Sequence, residues 1–207
     1  GCSPGVTGKS ANLTATSVTL TAFPATQLRL SVMLASQLFI RSMHARVFVE
    51  IASQNIGTVT APYGVGIHPY LTCNLTSVDE YLFQLPANQV YAVDEHANPT
   101  TLHHVDELDL NFTQAKKIAA TKIDHTFKIP LMIVGNNHYP STTGAFGKPL
   151  FRSTWVQIYS GEKLQRQGLA VEPMSCPPNA FNSVSTYYYW NQGKRTACFL
   201  IFYGQHN

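Results

Sequence analysis

The sequence predicts an all-β protein, an antiparallel β-sandwich or barrel built from roughly ten short strands with at most one short helix. Two observations carry this prediction. Apolar residues alternate with polar ones at period two in several segments, which places one set on each face of a strand. Turn-rich pieces such as Gly135-Asn136-Asn137, Ser141–Gly147 and Pro177-Pro178-Asn179 break the chain about every 10–20 residues.

The elements follow in order. Val18–Ala22 is β-branched and reads as a strand. Leu28, Leu30, Val32 and Leu34 interleave with Arg29, Ser31 and Met33, and Val47, Val49 and Ile51 interleave with Phe48 and Glu50. Tyr81–Leu85 and Gln89–Val93 follow, and Leu108, Leu110 and Phe112 alternate with Asp109 and Asn111. Thr113–Thr121 is the helix candidate, with Thr113 as N-cap and Lys116 and Lys117 on its outer face. Phe127–Val134, Trp155–Tyr159, Ser185–Trp190 and Ala197–Tyr203 complete the strands. No repeat or low-complexity linker divides the chain. Residues 1–207 are therefore expected to form one domain, the C-terminal head of a longer chain, because the start, Gly1-Cys2-Ser3-Pro4-Gly5, has no apolar signal-peptide core.

Composition excludes several function classes. The chain of 207 residues is 44% hydrophobic and only 12% charged, too apolar for a disordered chain. No run of about 18 apolar residues exists, so no membrane insertion by a helix is expected. A formal charge of +3 is too small to indicate nucleic-acid binding. Between Arg46 and Lys116 there is no Lys or Arg, yet Asp79, Glu80, Asp94, Glu95, Asp106, Glu107 and Asp109 fall there. If that segment forms one side of the domain, its charge favours self-association or an oriented partner.

Cys2, Cys73, Cys176 and Cys198 contain no C-x-x-C pair, which argues against a zinc ribbon or a thioredoxin-like motif. Cys176 and Cys198 are the closest pair and a candidate disulfide; four reduced core thiols are the alternative. Three N-x-[ST] sequons, at Asn12, Asn74 and Asn111, give weak support to an extracellular setting.

Candidate chemistry is sparse. Ser3–Ser10 falls one glycine short of a phosphate-binding loop and is not followed by a helix, so no nucleotide cofactor is expected. His96, His103, His104 and Glu107 concentrate metal-ligand types, since imidazole and carboxylate together suit zinc, manganese or iron. The neighbours His103 and His104 would point to opposite faces of a strand, so an exposed acidic loop or a pH-responsive patch is the competing reading. No G-x-S-x-G elbow is present, and His138-Tyr139-Pro140-Ser141 reads as a turn. Tyr188, Tyr189 and Trp190, beside Asn191 and Arg195, offer an aromatic and polar surface for a receptor or a glycan.

The closing run Arg195-Thr196-Ala197-Cys198-Phe199-Leu200-Ile201-Phe202-Tyr203-Gly204-Gln205 resembles the last strand of adenovirus-type fibre heads. The composition is similar to jelly-roll capsid and spike domains as well. The resemblance implies a homo-oligomeric sandwich, a trimer, at the virion surface or outside the cell, which binds a host receptor or glycan without catalysis. Two alternatives stand beside it: an extracellular β-sandwich enzyme with a metal or hydrolytic site near His96–Glu107, and a secreted carbohydrate-binding module using Tyr188 or Trp190.

Overall fold

The computed structural model describes residues 6–14, 16–24, 34–43, 46–73, 76–130, 150–151, 154–183, 188–190 and 195–203. The described residues hold sixteen strands: β1 (Val6–Leu13), β2 (Ser17–Pro24), β3 (Leu34–Met43), β4 (Arg46–Asn55), β5 (Ala61–Tyr63), β6 (Tyr70–Leu71), β7 (Leu82–Phe83), β8 (Gln89–Val93), β9 (Pro99–His104), β10 (Lys116–Lys117), β11 (Asp124–Lys128), β12 (Leu150–Phe151), β13 (Trp155–Tyr159), β14 (Leu169–Met174), β15 (Tyr188–Trp190) and β16 (Arg195–Tyr203). The helical elements among the described residues are short 3₁₀ turns at Val78–Glu80, Val105–Leu108, Glu162–Leu164 and Ala180–Asn182. The chain is all-β, and among the described residues every strand pairing is antiparallel. The strands fall into two compact units.

In the first unit a six-stranded sheet runs in the order β1-β2-β3-β4-β16-β12, and β15 pairs with β5. The period-two alternation in β4 is realised, with Val49, Ile51, Ser53 and Asn55 all buried. The two buried polar side chains are satisfied. Ser53 shares hydrogen bonds with the Ser36 hydroxyl (2.8 Å) and the Tyr63 hydroxyl (2.6 Å). Asn55 donates to the Val59 carbonyl at 2.8 Å and accepts from the Gly57 amide at 2.9 Å, which closes the turn after β4. Val6–Ser10 of the near-phosphate-loop segment lie within β1 and pair with β2, so this part is strand.

In the second unit a six-stranded sheet runs in the order β6-β14-β13-β11-β8-β9, and β10 pairs with β7. Val90, Phe127, Val156, Ile158, Leu169 and Val171 are buried. In register, Phe127 faces Val156 and Val90, while Ile158 faces Val171, so these residues share one side of the sheet. The other side carries the polar residues of the same strands and holds the site described below.

Three local expectations fail for identifiable reasons. Thr113–Thr121 is not a helix. The Thr113 amide and hydroxyl both donate to Asn111 Oδ1, and Lys116 and Lys117 pair with Phe83 and Leu82. The amides of Ile118 and Ala119 then donate to the carbonyls of Tyr81 and Asp79. The segment has one fully buried apolar side chain, Ile118, too few for an amphipathic helix face. Leu108–Phe112 is not a strand either, because Asp109 adopts a left-handed conformation that ends the Val105–Leu108 turn. Leu110 and Phe112 are nonetheless buried, as their alternation required. Finally, Cys176 carries a free thiol, so the Cys176–Cys198 disulfide is not formed. Burial raises the Cys176 thiol above its usual range, opposed by a hydrogen bond with Ser175. Residues 28–33 and 131–134 of the expected strands lie outside the described residues.

Candidate active site

β14 reads Leu-Ala-Val-Glu-Pro-Met, an apolar strand with a single acid, Glu172. Pleating sends Leu169, Val171 and Pro173 into the core and Glu172 to the opposite face. Directly across the strands Glu172 meets Gln157 of β13, and Gln157 meets Thr126 of β11. The neighbouring rung on the same face is formed by Tyr70, Ala170, Tyr159 and Asp124. One polar patch thus gathers residues from four strands.

His68 reaches this patch by a glycine-containing strap, Gly64-Val65-Gly66-Ile67-His68. The Val65 amide donates to Ser175 Oγ at 2.9 Å, the Ser175 amide returns to the Val65 carbonyl at 2.8 Å, and Gly66 bridges to Met174. The fit leaves little room for side chains. A Cβ on Gly64 would lie 2.5 Å from Cys176 Sγ, and one on Gly66 would lie 2.9 Å from Met174 Cγ. The strap continues into Pro69 and β6, and places His68 Nε2 3.1 Å from Glu172 Oε1. The His68 ring also lies 5.1 Å from that of Tyr70.

The pair is asymmetric in solvent exposure, with the Glu172 side chain only 14% exposed and that of His68 54% exposed. Burial raises the Glu172 carboxyl above the usual carboxylate range. The neighbouring His68 opposes this shift and the Asp124 charge adds to it. The Tyr70 hydroxyl is raised as well, by desolvation and by the charges of Tyr159, Glu172 and Asp124. Asp124 Oδ1 accepts from Gln157 Nε2 at 2.7 Å, and Gln157 Oε1 accepts from the Thr126 hydroxyl at 2.5 Å. Beyond this patch, Tyr91 stacks on Trp155 with ring centroids 5.3 Å apart, and Lys128 Nζ lies 5.9 Å from the Trp155 ring. A buried carboxylate with a raised proton affinity, touching an accessible imidazole, is an arrangement for general acid–base chemistry.

His96, His103, His104 and Glu107, singled out in the sequence, are not part of this patch. His103 and His104 close β9, and both act in the turn that follows it. His103 Nδ1 bonds Glu107 Oε2 at 2.9 Å, Glu107 Oε1 accepts from the His104 amide at 3.0 Å, and His104 Nδ1 lies 3.1 Å from Asp106. The bond from His103 lowers the Glu107 carboxyl below its usual range. His96 is exposed at the tip of the 94–98 turn, where its amide and that of Asn98 donate to Asp94 Oδ1. Among the described residues no group of three or more His, Cys, Asp or Glu side chains is placed to hold a metal ion. Tyr188, Tyr189 and Trp190 form β15 opposite Tyr63, Pro62 and Ala61, and Arg195 opens β16 opposite Gln54. Their side chains, Asn191 and the 138–141 turn lie outside the described residues. His68, Asp124, Gln157 and Glu172 were missed by sequence reasoning. The signal available for Glu172 was a lone acid in an otherwise apolar strand.

A sequence profile of the aldose 1-epimerase family matches residues 41–202, a span that includes every residue of this patch. The chain belongs to the aldose 1-epimerase family. It is 67% identical over 199 residues to protein YihR of Escherichia coli strain K12; the match covers 93% of this chain and 63% of that relative's length. The fold is similar to that of a GalM/aldose epimerase homologue from C. elegans, with a TM-score of 0.75 and 14% identity, covering 96% of this chain and 68% of the other. A galactose mutarotase-like protein from Clostridium acetobutylicum gives a TM-score of 0.72 at 10% identity, covering 98% and 67%.

Membership of the aldose 1-epimerase family overturns the viral reading. The fibre-head resemblance, the capsid or attachment function, the virion or extracellular location and the absence of catalysis are all withdrawn. The all-β class stands, but the jelly-roll and fibre-head assignments do not, because the epimerase fold accounts for the chain over nearly its whole length. The aromatic-rich last strand misled because any long central strand is rich in such residues.

Proposed function

We propose that this chain carries the acid–base pair of an aldose 1-epimerase and interconverts the α and β anomers of a free aldose. The observation that supports this reading most directly is the 3.1 Å approach of His68 Nε2 to Glu172 Oε1. Anomer exchange opens the hemiacetal ring. One group removes the proton from the C1 hydroxyl, the bond between C1 and the ring oxygen breaks as the C1 carbonyl forms, and a second group protonates the ring oxygen. Both oxygens are attached to the same carbon, so the two protein groups must stand side by side. Glu172 suits the base role, because burial raises its proton affinity. His68, more exposed and adjacent, suits the acid. After rotation about C1–C2 the ring closes on the other face of the carbonyl, and each proton returns to its starting group, so the reaction balances without a co-reactant. Asp124, with Oδ1 held by Gln157, directs Oδ2 toward a sugar hydroxyl, and Tyr70 and Tyr159 border the same patch.

Polarimetry of freshly dissolved α-galactose and α-glucose tests the reading. The chain is expected to accelerate mutarotation, and Glu172→Gln to lose most of that acceleration. A wild-type chain that leaves the spontaneous rate of both sugars and of xylose unchanged overturns the proposal.

A further inference from the structure

We infer that Thr126 is a positioning residue which, through the Gln157 amide, fixes the Asp124 carboxylate that faces the sugar. The inference rests on the epimerase reading of this patch and adds a member to it. Thr126 is only 1% exposed, so its hydroxyl must find a partner within the protein. It donates to Gln157 Oε1 at 2.5 Å, across the register pair that joins β11 and β13. The opposite end of the same amide, Nε2, donates to Asp124 Oδ1 at 2.7 Å.

An amide has one accepting end and one donating end, and here each end is anchored. Reversal of the amide would turn Oε1 against the Asp124 carboxylate, acceptor against acceptor, and would leave the Thr126 proton without Gln157 as its acceptor. The two anchors therefore select one orientation and hold the Gln157 side chain over β11. Asp124 stands two residues before Thr126 on the same strand face, so the three side chains close a loop over three residues of β11 and one of β13. The consequence concerns substrate binding. With Oδ1 fixed, Oδ2 presents a defined direction to a hydroxyl of the bound sugar. Without Thr126 the Gln157 side chain keeps one anchor, and Asp124 is free to turn.

The test compares Thr126→Val with Thr126→Ser. Valine has nearly the shape of threonine, so the buried site stays filled, and serine keeps the hydroxyl. Thr126→Val is expected to raise KM for anomer exchange about tenfold, the usual worth of a hydrogen bond to a charged group, with kcat within about twofold. Thr126→Ser is expected to restore KM. An unchanged KM in Thr126→Val, a fall in kcat alone, or a serine variant that behaves like valine would each overturn the inference. A second readout does not depend on turnover. The Gln157 side-chain amide proton that bonds Asp124 should exchange slowly with solvent in the wild-type chain and faster in Thr126→Val. Failure of the wild-type chain to accelerate any aldose refutes the epimerase reading alone. Fast exchange of that Gln157 proton in the wild-type chain, or slow exchange that Thr126→Val leaves intact, refutes the positioning role.

Discussion

His68 Nε2 stands 3.1 Å from Glu172 Oε1 although about a hundred residues separate them in the chain. The approach is enforced from both sides. Glu172 is fixed by β14, paired to β13 and β6, and His68 by a strap whose amides bond the continuation of the same strand. The geometry is therefore built before any substrate arrives.

Glu172→Gln should lower kcat for anomer exchange by about 10³-fold, in the range expected for loss of a positioned general base. Because burial raises the Glu172 carboxyl, the acidic limb of the wild-type rate profile should lie above the range of an ordinary glutamate. Stability carries the same signature. Between the ordinary glutamate pKa and the raised one the folded state binds more protons than the unfolded state, so stability falls as pH rises through that window. Denaturant melts across this window should show the decline in the wild-type chain and a flatter profile in Glu172→Gln.

His68→Asn should reduce kcat by about 10²-fold while the fold persists, since the His68 side chain is half exposed and fills no core. Saturation-transfer NMR between the two anomeric protons reads the exchange rate. A variant with wild-type kcat would remove His68 from the mechanism.

Gly64→Ala should destabilise the second unit by about 1–3 kcal/mol, because the added Cβ meets Cys176 Sγ at 2.5 Å. Cys176→Ala removes that sulfur. The double variant should then cost less than the sum of the two single ones, a coupling that thermal melts can resolve. Additive losses would show that the strap yields without help from Cys176.

Arg166→Ala should cost about 1–3 kcal/mol. Its guanidinium bonds Asp79 and Glu162 at 2.6 Å each, and the carbonyls of Ala119 at 2.7 Å and Thr121 at 3.3 Å. Removal takes this donor from Asp79 and from both carbonyls, while Glu162 keeps its bond from the Ser160 hydroxyl and water reaches the two acids, whose side chains are 44% and 32% exposed. Chemical denaturation measures the loss, and a change under about 1 kcal/mol would place the network among surface pairs of little worth.

Much of the strand pattern was legible before the structure. β2, β4, β8, β13 and β16 stand where period-two alternation or β-branched runs placed them, because a half-buried strand must sort apolar and polar side chains to opposite faces. β9 and β14 were not legible. β14 is nearly continuous in apolar residues, and β9 carries the histidines that drew attention as metal ligands. The site was missed for a related reason. Acids and histidines that cluster densely in the sequence are turn caps in this fold, whereas the site residues stand singly along the chain.

By itself the sequence determined that this chain is all-β, with an interior of alternating apolar residues, because these properties reside in local pattern. The tertiary structure decided the chemistry. His68, Asp124, Gln157 and Glu172 come from a strap and three strands; antiparallel register brings the last three onto one face, and the strap's bonds to Ser175 and Met174 bring His68 to it. That register is set by backbone pairing between segments far apart in the chain, and a local pattern carries no record of which strands will be neighbours.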